Sequence, residues 1–164
     1  MKIIYTLLLS SLLVSCGIYS FTGASIPSEA KTVSVNYFNN KAATVQPTLS
    51  QVFTERLKDM FLEQTNLTLS ENEGDLSFSG HISKYQIKPM AIKANETAGK
   101  NRLTIAVKVK YNNSFDAENN FETTFSRYRD YDSSQNISDI EDTLIEEITN
   151  ELAEDVFNKA FVNW

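Results

Sequence analysis

Few side chains in this sequence have both the type and the spacing that chemistry needs, and the single cysteine is the most pointed case. Cys16 follows directly on an apolar run, Leu7 to Ser15. A lone thiol cannot close an intramolecular disulfide, which leaves a packing cysteine, a reactive thiol or an attachment point. The single histidine, His81, alternates with Ser79 and Ser83 on one side of an extended stretch. As a catalytic base it would need a nucleophile and an orienting group, and no motif supplies them. It reads as a solvated or hydrogen-bonded surface histidine. The carboxylates between Asp139 and Asp155 could suggest calcium, but they follow helical spacing and lack the glycine and ligand spacing of a calcium loop. No glycine-rich phosphate loop and no metal-ligand motif occurs. The expectation is no enzyme, no metal and no cofactor.

The residues before Cys16 separate the three readings of the thiol. Lys2 supplies a positive start, and Ile3 to Val14 form an apolar stretch broken only by Thr6, Ser10 and Ser11. A membrane-spanning helix needs about 20 apolar residues, so this segment has the size and flanks of a secretory signal. Leu13-Val14-Ser15-Cys16-Gly17 resembles the bacterial lipoprotein box: an apolar residue at −3, a small one at −1, then cysteine. The resemblance implies diacylglycerol on the Cys16 sulfur, cleavage before Cys16 and acylation of the new amine. The alternative is an ordinary signal with a cysteine beside it. Two or three acyl chains, at about 0.8 kcal/mol per buried methylene, hold a protein stably on a membrane where one would not. Gly17, rather than aspartate, at the next position points to the outer membrane, and the lack of an acidic export motif points to its periplasmic face.

Removing residues 1 to 15 deletes one of 15 basic residues against 21 acidic ones, taking the net charge from −6 to −7. An acidic domain is poorly suited to nucleic acid or to unselective attraction by anionic lipid. Positive charge is nevertheless concentrated in places. Lys93, Lys100 and Arg102 bracket a loop, and Arg102, Lys108 and Lys110 share one side of the strand that follows. One reading is a solvated face whose lysines discourage aggregation. The other is a docking surface for phosphate or carboxylate groups.

Hydrophobic periodicity supplies the elements that would position these groups. Residues 16–30 read as a tether and 31–164 as one domain. Val33, Val35 and Tyr37 alternate as a strand. Leu49, Val52, Phe53, Leu57, Met60 and Phe61 make a helical stripe, with Thr48 and Gln51 placed as a capping box. Leu76, Phe78, Gly80 and Ile82 share one strand face; then the period slips to Tyr85 and Ile87, which predicts a β-bulge near Ser83-Lys84. Leu103 to Tyr111 alternate cleanly, and Phe121, Thr123 and Phe125 return as the second arm of a hairpin. A closing helix starts with a Ser138–Glu141 capping box and buries Ile140, Leu144, Ile145, Ile148, Leu152, Val156 and Phe161. Glu146, Glu147, Glu151, Glu154 and Asp155 form its solvated face. The segment "DYDSSQN" reads as turn and cap chemistry, and the apolar end at Trp164 as packing on the domain. The predicted fold is α+β: a two-layer sandwich of a mostly antiparallel four-stranded sheet with two helices on one face, in the order β-α-β-β-β-α.

The lipoprotein box, "CGIYSFTGASIP", this element order, "DYDSSQN" and the closing "EDVFNKAFVNW" together resemble the LptE family of lipopolysaccharide-assembly lipoproteins, in its Bacteroidetes form. The resemblance covers essentially the whole mature chain. It implies a partnership with the outer-membrane β-barrel LptD, as plug and assembly factor, and binding of lipopolysaccharide on its way to the outer leaflet. Cys16 carries over as the lipidated residue. No local motif fixes the family's basic lipid-contacting positions, so Lys93, Lys100 and Arg102 are assigned to lipopolysaccharide from charge and topology alone. The competing reading is a periplasmic lipid- or solute-binding carrier lipoprotein with an apolar pocket between sheet and helices.

Overall fold

The computed structural model describes residues 26–90 and 99–162. Cys16, the signal and tether before Ile26, Lys93 and Trp164 lie outside them. Six strands and two long helices follow one another: β1 (Thr32–Val35), β2 (Asn39–Asn40), α1 (Leu49–Gln64), β3 (Thr68–Leu69), β4 (Leu76–Pro89), β5 (Lys100–Asn113), β6 (Phe121–Asp132) and α2 (Ile137–Phe161). The sheet order is β3-β1-β4-β5-β6, with β2 also paired to β4.

This corrects the expected sheet. β1 runs parallel to both β3 and β4, and β2 runs parallel to β4, while β4-β5 and β5-β6 are antiparallel. The sheet is therefore mixed and has more than four strands. The cause is α1: a helix between two strands of one sheet is a crossover, and crossovers join parallel neighbours.

The first strand is also shorter than its alternation suggests. After Val35 the chain turns, leaving Tyr37 half exposed and Phe38 wholly buried. The Phe38 N–H donates to Thr54 Oγ1 on α1 (3.1 Å), and its ring meets Phe53 edge-on at 5.0 Å. The ring has room because it rests on Gly80: a Cβ there would lie 2.8 Å from Phe38 Cε1 and 1.9 Å from the Lys108 carbonyl oxygen. Gly80, at φ +157°, is thus a packing requirement of the β4-β5 pair.

Both helices cover the same side of the sheet. Phe61 of α1 lies 4.5 Å from Phe78 of β4, and Phe161 of α2 lies 6.2 Å from Phe78 and 6.1 Å from Tyr111 of β5. Phe78 and Tyr111 are register partners on one face. Leu103, Ile105, Val107 and Val109 are buried beside them, as the alternation of β5 demands. The caps differ from the expected boxes. Buried Gln46 caps α1, its Oε1 accepting from the N–H groups of Thr48 and Leu49 at 2.8 Å each. Asn136 caps α2 by accepting from the Ser138 N–H at 3.3 Å. Glu141 instead receives the Tyr85 hydroxyl, tying α2 to β4.

Candidate functional site on the open sheet face

The face of the sheet away from the helices carries the residues that alternate with the core positions. Its layout follows from the bulge in β4, where the register slips between Ile82 and Lys84. Before the slip, Ser77, Ser79 and His81 show on the open face; after it, Lys84, Gln86 and Lys88 do. On β5 the open-face set is Lys100, Arg102, Thr104, Ala106, Lys108 and Lys110, and on β6 it includes Glu122, Thr124, Ser126, Tyr128 and Asp130.

Register then decides which charges meet. Lys88, Arg102 and Asp130 stand in one row across the three strands, with Lys100 one step along β5 on the same face. Ser79, Lys110 and Glu122 form another row, and His81, Lys108 and Thr124 the row beside it. Between these groups lie Lys84, Ala106, Thr104 and Gln86. Arg102 and Lys108 are six residues apart, about 20 Å at strand rise. The basic residues of this face are therefore spread along it, a group at each end with Lys84 between them, and do not lie together as the sequence suggested.

The cations differ in what they already hold. Arg102 grips Asp130 with both arms of its guanidinium, Nε to Oδ1 at 2.6 Å and Nη2 to Oδ2 at 2.8 Å. It also lies 3.6 Å above the centre of the Tyr128 ring. Asp130 raises the Arg102 pKa further, and Arg102 holds the Asp130 carboxyl below the usual carboxylate range. Lys108 is paired with Glu122 at 2.5 Å and lowers that carboxyl. Lys84, Lys88, Lys100 and Lys110 are exposed and make no ion pair among the described residues.

Of the three residues assigned from sequence, Lys100 and Arg102 thus sit at the same end of the open face, and Lys93 lies outside the described residues. Lys88 was missed. Its signal was present, because a bulge that keeps Tyr85 and Ile87 inward must turn Lys84 and Lys88 outward beside Arg102. His81 is half-buried on β4 between Asn39 of β2 and Lys108 of β5. Among the described residues no group of His, Cys, Asp and Glu is placed to hold a metal ion, and no helix is long and apolar enough to cross a membrane.

The helix layer carries the opposite charge, but it is not simply solvated. Arg127 and Arg129 reach from the covered side of β6 to α2. Arg127 Nη2 meets Asp155 Oδ1 at 2.5 Å, and Arg129 meets Glu147 at 2.7 Å and Glu151 at 2.6 Å. The clefts nearby are open and of mixed lining. One of about 540 Å³ between the helices is lined by Glu55, Arg56, Asp59, Glu146, Glu147 and Asn150 among others. The space between the layers is filled by the rings of Phe61, Phe78, Tyr111, Phe157 and Phe161.

Known proteins share this arrangement. The fold is similar to that of a minor lipoprotein from Acinetobacter baumannii, at TM-score 0.53 and 14% identity, covering 79% of this chain and 91% of that one. It is also similar to a homolog of neuraminyllactose-binding hemagglutinin from Helicobacter pylori, at TM-score 0.52 and 10% identity, covering 85% and 87%. Rare lipoprotein B from Shewanella oneidensis aligns at TM-score 0.46 and 13% identity, covering 78% and 92%. At such identities the first two are likenesses of fold. No match emerges among curated protein sequences. A sequence profile described as LptE, lipopolysaccharide-assembly, matches residues 30–160. That span runs from just before β1 to the last turn of α2 and takes in every element described above, so the chain belongs to the LptE lipopolysaccharide-assembly family.

Proposed function

We propose that this protein is an outer-membrane lipoprotein, anchored through Cys16, that partners an LptD-type β-barrel as plug and assembly factor in lipopolysaccharide insertion. The observation that carries the reading is the family match across residues 30–160. Two features of the fold agree with it. The core between sheet and helices is filled by packed aromatic rings, as a plug requires, whereas a lipid carrier would need an apolar cavity there. The outer surfaces are polar on both layers, which suits the polar lumen of a large barrel. The exposed lysines Lys88 and Lys100, with Lys93 between them in sequence, supply the charge that meets phosphate and carboxylate groups on lipopolysaccharide, and Arg102 stands beside them.

Affinity purification of the full-length lipoprotein from solubilised outer membranes tests this reading. A large β-barrel recovered in equal amount is the expected result. A bare monomer carrying extracted lipid would overturn it in favour of the carrier.

A further inference from the structure

The first described residues and the last turn of α2 meet at one end of the sheet. Ile26 and Pro27, that last turn and the loop between β5 and β6 together line a cleft of about 470 Å³. It opens at the margin of the packed core, and its walls are of two kinds. Ile26, Pro27 and Phe115 offer apolar surface, and Phe115 is 48% exposed. Glu29, Asp116 and Asn119 offer oxygen acceptors. Lys159 of α2 also lines the cleft, and it makes no ion pair among the described residues.

We propose that this cleft is the seat of Trp164, two residues beyond the last one described. Reach and direction favour it. Lys159 and Ala160 line the cleft, and at Val162 the chain has left the helix for extended backbone, φ −105° and ψ 108°. Two extended residues then span up to about 7 Å. Chemistry favours it too. An indole is a large apolar plate with a single N–H donor, which suits apolar walls beside a wet, acceptor-bearing mouth. Stacked against Phe115 and Pro27, it would find an acceptor for its N–H in Glu29 or Asp116. The Lys159 ammonium would stand near its face, where a cation is attracted to the ring. Tyr19 and Phe21 of the tether are the competing occupants, and the test below separates them from Trp164.

A filled seat ties the end of α2 to the root of the tether. Pro27 to Ala30 form a turn there, closed by the Ala30 N–H donating to the Pro27 carbonyl at 3.0 Å. Beyond that turn the chain is held independently, because Asp75 Oδ2 accepts from the Lys31 and Thr32 N–H groups at 2.9 and 3.0 Å. With Cys16 as the lipid anchor, the seat therefore sets the length of the leash. Extended chain from Cys16 to Ile26 spans about 35 Å, against about 50 Å from Cys16 to Lys31 when the turn frays. That consequence rests on the anchor. The seat itself depends neither on the anchor nor on the proposed barrel partnership.

Trp164 is the only tryptophan of the chain, so intrinsic emission reports on it alone. In the full-length lipoprotein, extracted in mild detergent, the emission should lie to the blue of the urea-unfolded chain and be several-fold less quenched by iodide. A brominated detergent should leave it unchanged, which separates the seat from burial in the micelle. Phe115→Ala should restore much of the iodide quenching and leave the melting temperature near wild type, because that ring is half exposed. A nitroxide on Asn119→Cys, at the cleft wall, should quench the emission. The same label on Gln86→Cys, which pairs with Thr104 about 30 Å down β5 from Asn113, should not. The unsubstituted chain, treated with the label, is the control for any reaction at Cys16. Four results would each overturn the proposal: emission as open to iodide as in the unfolded chain, quenching by the brominated detergent, no effect of Phe115→Ala, or equal quenching by the two labels. The first of these is what Tyr19 or Phe21 in the cleft would give.

Discussion

If the open-face lysines meet lipopolysaccharide, their contributions are unequal in a way the ion pairs dictate. Lys88 and Lys100 are exposed and unpaired among the described residues, whereas Arg102 and Asp130 already neutralise each other. A lysine near an anionic lipid surface contributes about 1 kcal/mol. Lys88→Gln/Lys100→Gln should therefore cost about 2 kcal/mol, roughly 30-fold in affinity at low salt. Adding Lys93→Gln should deepen the loss. Removing the whole pair, Arg102→Gln/Asp130→Asn, leaves net charge unchanged and should alter affinity by no more than about twofold. Asp130→Asn alone frees the guanidinium and should tighten binding about fivefold, the effect of one charge near the surface.

The assay is lipopolysaccharide binding by the detergent-extracted lipoprotein at about 0.05 M and about 0.3 M salt, where screening shrinks every charge effect together. Melting temperatures of the lysine variants should stay near wild type, because exposed charges contribute little to stability. Glu71→Gln/Glu73→Gln, two exposed residues in the β3-β4 loop, serves as control. Glu147 and Glu151 are unsuitable as controls because they hold Arg129. If removing the Arg102–Asp130 pair weakens binding as much as losing both lysines, Arg102 must leave Asp130 for the ligand, and the reasoning from the resting ion pair fails.

Other consequences of the structure are as direct. Gly80→Ala drives a Cβ to 1.9 Å from the Lys108 carbonyl oxygen, and should cost about 2–4 kcal/mol and about 10 °C in melting temperature. Gly99→Ala, whose nearest neighbour is the movable Ser133 hydroxyl at 3.0 Å, should be close to neutral, and equal melting of the two variants would refute the packing argument. Cys16→Ala should leave an uncleaved or mislocalised precursor; normal outer-membrane retention on fractionation would refute the anchor. Arg129 and Arg102 hold Glu151 and Asp130 below their ordinary pKa values, so their contribution is complete above the ordinary glutamate value of 4.5 and is lost as pH falls through the depressed values. The urea midpoint should thus be flat from neutral pH to about 5 and fall below that. Glu151→Gln should flatten part of the fall, and an unchanged slope would show that the pair does not couple folding to pH.

What the sequence made legible were features with a local period. The alternation of β5, the stripes of both helices and the slip in β4 are each set by residues two to four apart, and each is present in the structure. What it hid depends on distant partners. Arg127 and Asp155 are far apart in the chain, so the α2 carboxylates looked like a solvated face until β6 was placed beneath them. The α1 cap went to Gln46, outside the expected Thr48–Gln51 box, whereas the α2 cap, Asn136, lies in "DYDSSQN", the segment read as turn and cap chemistry. The parallel strands were legible in principle, because a helix between the Val33 strand and the Leu76 strand already implies a crossover. Phe38 was not legible, because its burial depends on the missing side chain of Gly80, 42 positions away.

The bulge is where fold and candidate site are linked, and it makes a counter-intuitive prediction. Ile82 pairs with Val107 and Lys84 pairs with Ala106, so Ser83 is an extra residue with no partner of its own in β5. Deleting Ser83 leaves those pairings available to a regular strand. Lys84, Gln86 and Lys88 would still face outward, and Tyr85 would still face Ile105 and reach Glu141. What is lost is one hydrogen bond, Ser83 Oγ to the Ala106 carbonyl at 3.2 Å, worth about 1 kcal/mol, together with the added twist that a bulge supplies. The deletion should therefore fold cooperatively, melt within about 5 °C of wild type, and keep its affinity for lipopolysaccharide and the Lys88–Lys100 dependence. Inserting one alanine between Thr104 and Ile105 is the contrast. It has no vacancy to fill, so it either creates a second bulge or turns Leu103 outward and Arg102 inward, and should cost several-fold more stability than the deletion. If losing Ser83 unfolds the domain while the insertion is tolerated, the faces of β4 are fixed by twist rather than by register, and the placement of Lys88 beside Arg102 would need another cause.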